Sequence, residues 1–399
     1  MEEWKEYKIE ETSIEMIDGD RGKNYPKNDE FFTEGYCLFL NAGNVTKNGF
    51  SFSENSFITR EKDDALRKGR LDRYDVVITT RGTVGNVALY DMNVPFEHVR
   101  INSGMLILKS GKDIMPEYLY YYLKGITFQT QISQYVSGSA QPQLPKGTLA
   151  KMSVSYPYNK DTQKRIIAIL KSLDDKIEVN RRINENLEQQ AQALFKCWLE
   201  GCQDEVSIGD LSLNITDYSK CNHDQVVLIN SSDVTEGFFD HHILSPNKDL
   251  KGHFKKRFKK GDILYSQVRP RNRHWGYCTF DADNYLASTQ LMVIRNKEEL
   301  IPSILLYQYI IDDKVWMDFT LKTETRSGTF PQGNYEDLSS IRVPYSSDVD
   351  SISKELNSLY SMIYNNEQES RRLAELRDTL LPRLMSGELK VNDLENNEI

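Results

Sequence analysis

Residues 166–198 read IIAILKSLDDKIEVNRRINENLEQQAQALFKCW, and apolar side chains recur through them at alternating steps of four and three residues. This spacing is the a/d pattern with which one helix packs along the length of another. The positions that follow it are Ile166, Leu170, Leu173, Ile177, Asn180, Asn184, Leu187, Ala191, Leu194 and Trp198. The stretch predicts one unbroken helix, roughly 50 Å long at about 1.5 Å per residue.

The same pattern returns 186 positions later, where residues 352–384 read ISKELNSLYSMIYNNEQESRRLAELRDTLLPRL. Asn180 and Asn366 occupy the same place in the two copies, and Arg377 stands where the first copy has Ala191. Each copy taken alone is typical of an amphipathic core helix. A long helix repeated at a fixed offset, however, indicates a chain built from two copies of one unit.

Helices of this length need a partner along their whole length, and the second copy is the simplest one. We therefore predict that the two helices form an antiparallel coiled coil around a pseudo-twofold axis. An Asn in the apolar interface costs stability but favours the arrangement in which it meets a polar group. The predicted interface residues are Leu173, Ile177, Asn180, Leu187, Leu194, Trp198, Leu359, Ile363, Asn366, Leu373, Leu380 and Leu384.

The segments that precede the two helices also repeat. Strand signals at 73–80 and 103–108 return at 260–267 and 289–294, and Pro116 and Pro302 open matching helices. Strands with short turns and one main helix predict an α+β fold for each half. The predicted boundaries are 1–158 for the first domain, 159–201 for the first helix, 202–346 for the second domain, 347–390 for the second helix and 391–399 for an acidic tail.

Composition narrows the class of protein. The 399 residues are 39% hydrophobic with no apolar run of about 18 residues, so we expect no membrane span. The charged start of the chain and five scattered cysteines favour a cytoplasmic protein with reduced thiols and no bound metal. The net charge is −9, but nine Lys and Arg against one acid lie between Lys251 and His274. A basic segment within an acidic chain is compatible with nucleic-acid binding.

Motifs of catalysis are missing from the sequence. It contains no phosphate-binding G-x-x-x-x-G-K-[ST], no G-x-S-x-G and no H-E-x-x-H. Acid pairs such as Asp174-Asp175 fall in helical stretches, where exposure to solvent is the simpler interpretation. The chain is therefore predicted not to be an enzyme, with no catalytic residue and no metal ligand.

Two polar loops, at residues 137–143 and 327–334, lie at matching places in the two halves and are better candidates for function. Amide side chains can pair bidentately with adenine, whereas Arg, Lys and hydroxyl side chains can contact guanine edges or phosphates. An ordinary Gly/Ser/Pro turn is the alternative for either loop alone. The predicted DNA-binding residues are Arg81, Thr83, Ser137, Ser139, Gln141, Gln143, Lys255, Lys256, Arg257, Arg269, Arg271, Arg273, Arg326, Ser327, Thr329, Gln332 and Asn334.

Taken as a set, these features resemble the specificity (S) subunit of type I restriction-modification enzymes. The resemblance covers the whole chain. It rests on the loops 137–143 and 327–334, the strand that begins Gly261-Asp262-Ile263-Leu264, and three helix segments at 161–170, 173–180 and 380–389. The second helix lacks the Gln-Lys-Arg that begins the first, which leaves open whether both helix ends bind partner subunits equally.

The resemblance implies two target recognition domains that read a bipartite, asymmetric DNA site, with the helices as a ruler between them. A strut of roughly 50 Å can hold two modules about one DNA turn, about 34 Å, apart. The implied partners are double-stranded DNA, two modification (methyltransferase) subunits and restriction (translocase and nuclease) subunits. S-adenosylmethionine, ATP and Mg²⁺ are expected in those partner subunits, with no cofactor bound by this chain.

Two other functions stay open from the residues alone. The chain could be a coiled-coil scaffold for proteins without sequence-specific DNA binding, in which case its complexes would be insensitive to salt and independent of DNA. It could also be a stand-alone nuclease with an unfamiliar site, which metal-dependent cleavage by the purified chain would reveal.

Overall fold

The computed structural model describes residues 4–52, 54–136, 143–239, 242–248, 250, 252–297, 300–325 and 332–391. The chain divides into two compact units, one of residues 1–178 with 370–399 and one of residues 179–369. Each unit therefore combines one globular segment with a part of each long helix.

The globular segment of the first unit is a mixture of short strands and helices, as predicted. Its strands are β1 (Trp4–Lys8), β2 (Glu15–Asp18), β3 (Cys37–Leu40), β4 (Val45–Thr46), β5 (Gly49–Phe50), β6 (Phe57–Ile58), β7 (Val76–Thr79), β8 (Val87–Leu89), β9 (Val99–Ile101), β10 (Met105–Lys109) and β11 (Ser153–Pro157). Its helices are α1 (Arg60–Ala65), α2 (Pro116–Lys124), α3 (Ile126–Val136) and α4 (Lys146–Ala150).

An antiparallel sheet of order β2-β10-β7-β8 forms the centre of this unit. Strand β7 reads Val-Val-Ile-Thr and is buried throughout, because successive side chains point to opposite faces and both faces are covered. Val76 and Ile78 join a core with helix α2, whereas Val77 joins a second core with strand β3. A three-stranded sheet of order β6-β3-β9, in which β3 and β9 run parallel, lies on that second side.

Two long helices follow the two globular segments, which confirms the prediction from the 4-3 spacing. They are α5 (Lys160–Glu200) and α10 (Asp350–Met385). Among the described residues, no helix is long and apolar enough to cross a membrane.

The second unit repeats the topology of the first. Its strands are β12 (Asp204–Ser207), β13 (Ser212–Asn214), β14 (Gln225–Ile229), β15 (Val234–Thr235), β16 (Phe238–Phe239), β17 (Leu244–Pro246), β18 (Phe254–Lys256), β19 (Ile263–Ser266), β20 (Trp275–Tyr277), β21 (Tyr285–Ser288), β22 (Leu291–Asn296) and β23 (Arg342–Tyr345). Its shorter helices are α6 (Ile208–Leu211), α7 (Ser303–Ile311), α8 (Asp313–Glu324) and α9 (Tyr335–Ser339). The central sheet has the order β13-β22-β19-β20, which matches β2-β10-β7-β8.

Parts of α5 and α10 contact each other within each unit. In the second unit, Asn366 Nδ2 donates to Asn184 Oδ1 at 2.8 Å, and Asn180 Nδ2 donates to Glu369 Oε2 at 2.8 Å. In the first unit, Arg377 Nη1 donates to Asp174 Oδ1 at 2.7 Å. Between the two pairs of the second unit, residue numbers rise on α5 as they fall on α10, which confirms the predicted antiparallel direction.

The helix pair is also built into the core of each globular segment. Leu187 and Ala191 of α5 belong to one core with Ile304 of α7 and Leu356 of α10. Leu170 of α5 packs likewise in the core that contains α2. The partner of each long helix is therefore the other copy together with the helices of the adjoining globular segment.

Candidate nucleic-acid interface

In the first unit, Arg81 meets Gln143, the last residue of the predicted loop 137–143, at the end of strand β7. Arg81 and Gln143 form a β-bridge, and Leu144 N donates to Thr80 O at 3.0 Å. The side chains of Arg81 and Gln143 are both exposed. Gly104, on the turn before β10, accepts from the backbone N–H groups of Thr80 at 2.7 Å and Arg81 at 3.2 Å. Three segments of the chain are thus joined by backbone hydrogen bonds under an exposed arginine and an exposed amide.

The second unit has the same junction at the end of strand β19. Val268 and Gln332 form a β-bridge, and Gly333 N donates to Gln267 O at 2.8 Å. Gln267 N donates in turn to Gln290 O at 2.9 Å. Gln290 lies 186 positions after Gly104, so the third segment is equivalent as well. Arg269 follows directly and is exposed, with a left-handed backbone at φ +50°.

Glycine allows the second loop to approach helix α8. A Cβ atom at Gly333 would lie 2.4 Å from Phe319 Cζ and 2.7 Å from Thr323 Oγ1, both on α8. The neighbouring Asn334 is exposed, and its Oδ1 accepts from Asp337 N at 3.0 Å, so that it caps helix α9. This cap is a structural role beside the predicted one in DNA binding.

Two of the predicted arginines are held by acids of helix α8. Arg271 pairs with Glu324 at 2.5 and 2.8 Å, and this hydrogen bond lowers the pKa of the Glu324 carboxyl. Arg273 pairs with Asp313 at 3.1 Å, and its guanidinium lies 4.2 Å from the ring centroid of Trp316. The structure thus places these two cations beside Arg269 with their charges already compensated.

The basic run on strand β18 belongs to a different sheet, in the order β17-β14-β21-β18. Lys255 is exposed, with its ammonium 5.0 Å from the ring centroid of Tyr218. Lys256 is buried, and its Nζ donates to Leu291 O at 2.6 Å, while burial lowers the pKa of its ammonium. Arg257 is half-buried and donates to Asp283 O at 2.7 Å. Lys256 is therefore placed inside the protein, where it does not face solvent as a DNA contact would.

The structure describes only one of the remaining predicted DNA-binding residues, Thr83. Thr83 is exposed, with Oγ1 3.5 Å from Ala42 O. Outside the described residues lie Ser137, Ser139, Gln141, Arg326, Ser327 and Thr329. Within the described ranges, no group of three or more His, Cys, Asp or Glu side chains is arranged to hold a metal ion.

Sequence reasoning missed the polar partners that position these loops and helices. Glu369 lies outside the 4-3 pattern yet accepts from Asn180, and Trp316 lies on α8 rather than in either loop. Glu369 follows Asn366 by three residues and so lies on the same side of the helix, which could have indicated that it also reaches the other helix.

Comparison with known proteins agrees with this arrangement. Residues 1–189 match the family described as "Type I restriction modification DNA specificity domain". The match covers just under half of the chain, and the chain is similar to type I restriction enzyme specificity subunits. It is 41% identical over 138 residues to the type I restriction enzyme HindI specificity subunit of Haemophilus influenzae, a match that covers 34% of this chain and 30% of that protein.

A longer match within the family involves the MjaIX specificity subunit of Methanocaldococcus jannaschii. It is 23% identical over 354 residues and covers 80% of this chain and 78% of that protein. The chain thus spans less than a third of the first relative and over three quarters of the second. A solved S subunit of a type I restriction-modification system from M. genitalium is similar over 96% of both chains, with 15% identity and a TM-score of 0.49.

Proposed function

We propose that this chain is the DNA sequence-recognition subunit of a type I restriction-modification complex. It binds a bipartite asymmetric site and directs adenine methylation and restriction by partner subunits. The observation that carries this proposal is the repeated junction, Arg81 with Gln143 in one unit and Val268 with Gln332 in the other. The family match to a DNA specificity domain supports the same role.

Each unit reads one half of the site in this proposal. The exposed amides of Gln143 and Gln332 pair with adenine edges, while Arg81 and Arg269 contact guanine edges or phosphates. Because the two units differ in sequence around equivalent backbone junctions, their half-sites differ. Phosphate contacts make the affinity fall steeply with salt.

Catalysis belongs to other subunits under this proposal. Two modification subunits hold S-adenosylmethionine and methylate adenine, and restriction subunits use ATP and Mg²⁺ to translocate and cleave DNA. The chain itself binds no cofactor, and the complex acts on DNA in the cytoplasm. The helix pair supplies the frame to which the modification subunits attach.

The test uses the full chain co-purified with its modification subunit and a duplex that carries the methylated motif. Arg81→Ala, Gln143→Ala and Gln332→Ala are compared with Glu10→Gln, which removes an exposed charge from the turn after β1. Each amide variant should lose discrimination at one half-site by about 1–3 kcal/mol, whereas Glu10→Gln should bind as the parent does. Equal binding by all four variants, or binding that does not depend on salt, would refute the proposal.

A further inference from the structure

The second unit contains a cavity of about 200 Å³, and one of the predicted DNA-binding residues, Arg273, lines it. Helices α5 and α7, the turn after β15 and the start of α8 form its wall. The residues that line it are Glu188, Gln192, Phe195, Lys196, Glu236, Arg273, Trp275, Gln308, Ile311, Asp312 and Asp313. Its volume exceeds that of an engineered cavity that admits benzene, so a group the size of a side chain can enter.

One residue of the cavity wall, Gln308, carries a polar atom without a hydrogen-bond partner. Gln308 is 1% exposed, and its Nε2 donates to Tyr360 Oη at 2.8 Å. Its Oε1 is buried and accepts no hydrogen bond from any described group. An unpaired buried acceptor lowers stability, so a ligand that donates a hydrogen bond here removes that loss.

The carboxyl group of Glu188 forms an acidic part of the same cavity. A Cβ atom at Gly237 would lie only 3.0 Å from Glu188 Oε1, so the backbone of the turn closes over the carboxyl. Burial, together with Glu367, Glu236 and Glu185, raises the pKa of Glu188 to about 8. A positive charge in the cavity would stabilise the ionised carboxylate against all of these effects.

The cations of the wall are engaged with acids. Arg273 pairs with Asp313 at 3.1 Å, and Lys196 lies 3.9 Å from the same carboxylate. Four acids and two bases line the cavity, so its formal charge is −2 when every group is ionised. Phe195 and Trp275 add aromatic surface that favours a cation.

We propose that this cavity binds the cationic end of a ligand, an ammonium or guanidinium group that donates to Gln308 Oε1 and pairs with the Glu188 carboxylate. The chemistry is that of an organic cation rather than a metal ion, since no cluster of metal-ligating side chains occurs in the described part of the chain. The group comes either from a free amine or guanidine or from the Lys or Arg side chain of a protein. This inference is independent of DNA recognition.

The experiment follows the full chain labelled with 5-fluorotryptophan by fluorine NMR. The chain has four tryptophans, and a Trp275→Phe variant assigns the signal from the cavity wall. Methylguanidinium chloride is titrated at pH 8.5, with ionic strength held constant by NaCl. We expect a saturable shift of the Trp275 signal that is weakened at least tenfold in both Glu188→Gln and Gln308→Leu.

Glu200→Gln is the matched control, because Glu200 is an exposed carboxyl on the same helix and does not line the cavity. It should bind as the parent does. Undisturbed signals from the other tryptophans show that each variant is folded. The absence of a saturable shift, or an unchanged shift in both cavity variants, would overturn the proposal.

A second titration separates the two sources of the cation. N-acetyl-arginine-N-methylamide presents the guanidinium on a peptide backbone. If it binds as well as methylguanidinium, the cavity admits the side chain of a protein. If only methylguanidinium binds, the ligand is a free small molecule.

Measurement of proton release gives an independent readout. The groups facing Glu188 are Glu367 and Tyr360 on α10, Glu236 in the turn, Tyr307 on α7 and Glu185 on α5 itself, with Lys196 and Arg273 in the cavity wall. Binding of a cation should release a proton near pH 7, where Glu188 is mostly protonated. The Glu188→Gln variant should release none.

Discussion

Replacement of Asp63 by Asn should destabilise the first unit much more than the same change at the adjacent Asp64. Asp63 is fully buried in α1, and its carboxylate accepts from Arg100 Nε and from Arg70 Nη2. Arg100 donates further to Lys68 O at 2.7 Å and Leu66 O at 3.1 Å. One carboxylate thus ties α1 and the loop behind it to strand β9.

The magnitude follows from the burial of Arg100, which is only 4% exposed. Asp63→Asn leaves this guanidinium without its counter-charge, and breaking a buried ion pair from one side costs about 3–5 kcal/mol. In a unit of this size that is a fall in melting temperature of roughly 6–20 °C. The side chain of Asp64 is 66% exposed and pairs with Arg70 at 3.3 Å, so Asp64→Asn should cost less than about 1 kcal/mol.

Fluorine NMR of the 5-fluorotryptophan-labelled chain measures this unit selectively. Trp4 is the tryptophan of the first unit, whereas Trp198, Trp275 and Trp316 belong to the second. The native Trp4 signal should be lost at the lower temperature in Asp63→Asn and near the parental temperature in Asp64→Asn. Equal melting of the two variants would refute the reasoning from burial.

Three further changes test other parts of the structure. Asn184→Leu removes the acceptor of Asn366 Nδ2 and should lower the free energy of unfolding in urea by about 1–3 kcal/mol. The double variant with Asn184→Leu and Asn366→Leu should recover part of this loss, and additive costs of the two single changes would contradict the pairing. Since the pKa of Glu188 is raised from 4.5 to about 8, the folded chain binds an extra proton between those values and loses stability as pH rises through them. Glu188→Gln should therefore be the more stable protein at pH 8.5 but not at pH 4, and a difference independent of pH would contradict the shift. Gly333→Ala places a Cβ 2.4 Å from Phe319 Cζ and should destabilise the second unit by about 1–3 kcal/mol in urea unfolding; unchanged unfolding would mean that the loop adjusts freely.

Periodicity alone predicted the elements that recur at regular spacing. The 4-3 steps gave both long helices, and Pro116 and Pro302 marked the starts of α2 and α7. The strand signal at 73–80 likewise predicted strand β7, Val76–Thr79. These features depend on local sequence, because the period of the side chains follows from the geometry of the element itself.

The roles of single charged residues could not be predicted in the same way. Arg271 and Arg273 are paired with acids 53 and 40 positions away, and only the fold brings α8 to their loop. Lys256 lies on the buried face of β18, whereas the adjacent Lys255 lies on the exposed face. A run of positive charge in the sequence therefore predicted a basic region but not which of its side chains reach solvent.

Arg377 of α10 stands at the position where α5 has Ala191, and its role could not be predicted from the sequence either. In sequence it breaks the apolar pattern of the second helix. In the structure, the Arg377 guanidinium pairs with Asp174 at 2.7 Å, and Tyr121 Oη donates to the other oxygen of Asp174 at 2.9 Å. This polar departure from the pattern of α10 is thus paired with an acid of α5 within the first unit.

The most direct test of the account is to sequence methylated adenines in host DNA after co-expression of this chain with its modification subunit. The parent chain and a chimera whose residues 1–157 come from another family member are compared. We predict a split asymmetric motif that is methylated only when the chain is present, with one half exchanged in the chimera and the other half retained. A motif that changes in both halves, or methylation that does not depend on the chain, would contradict recognition by two separate units.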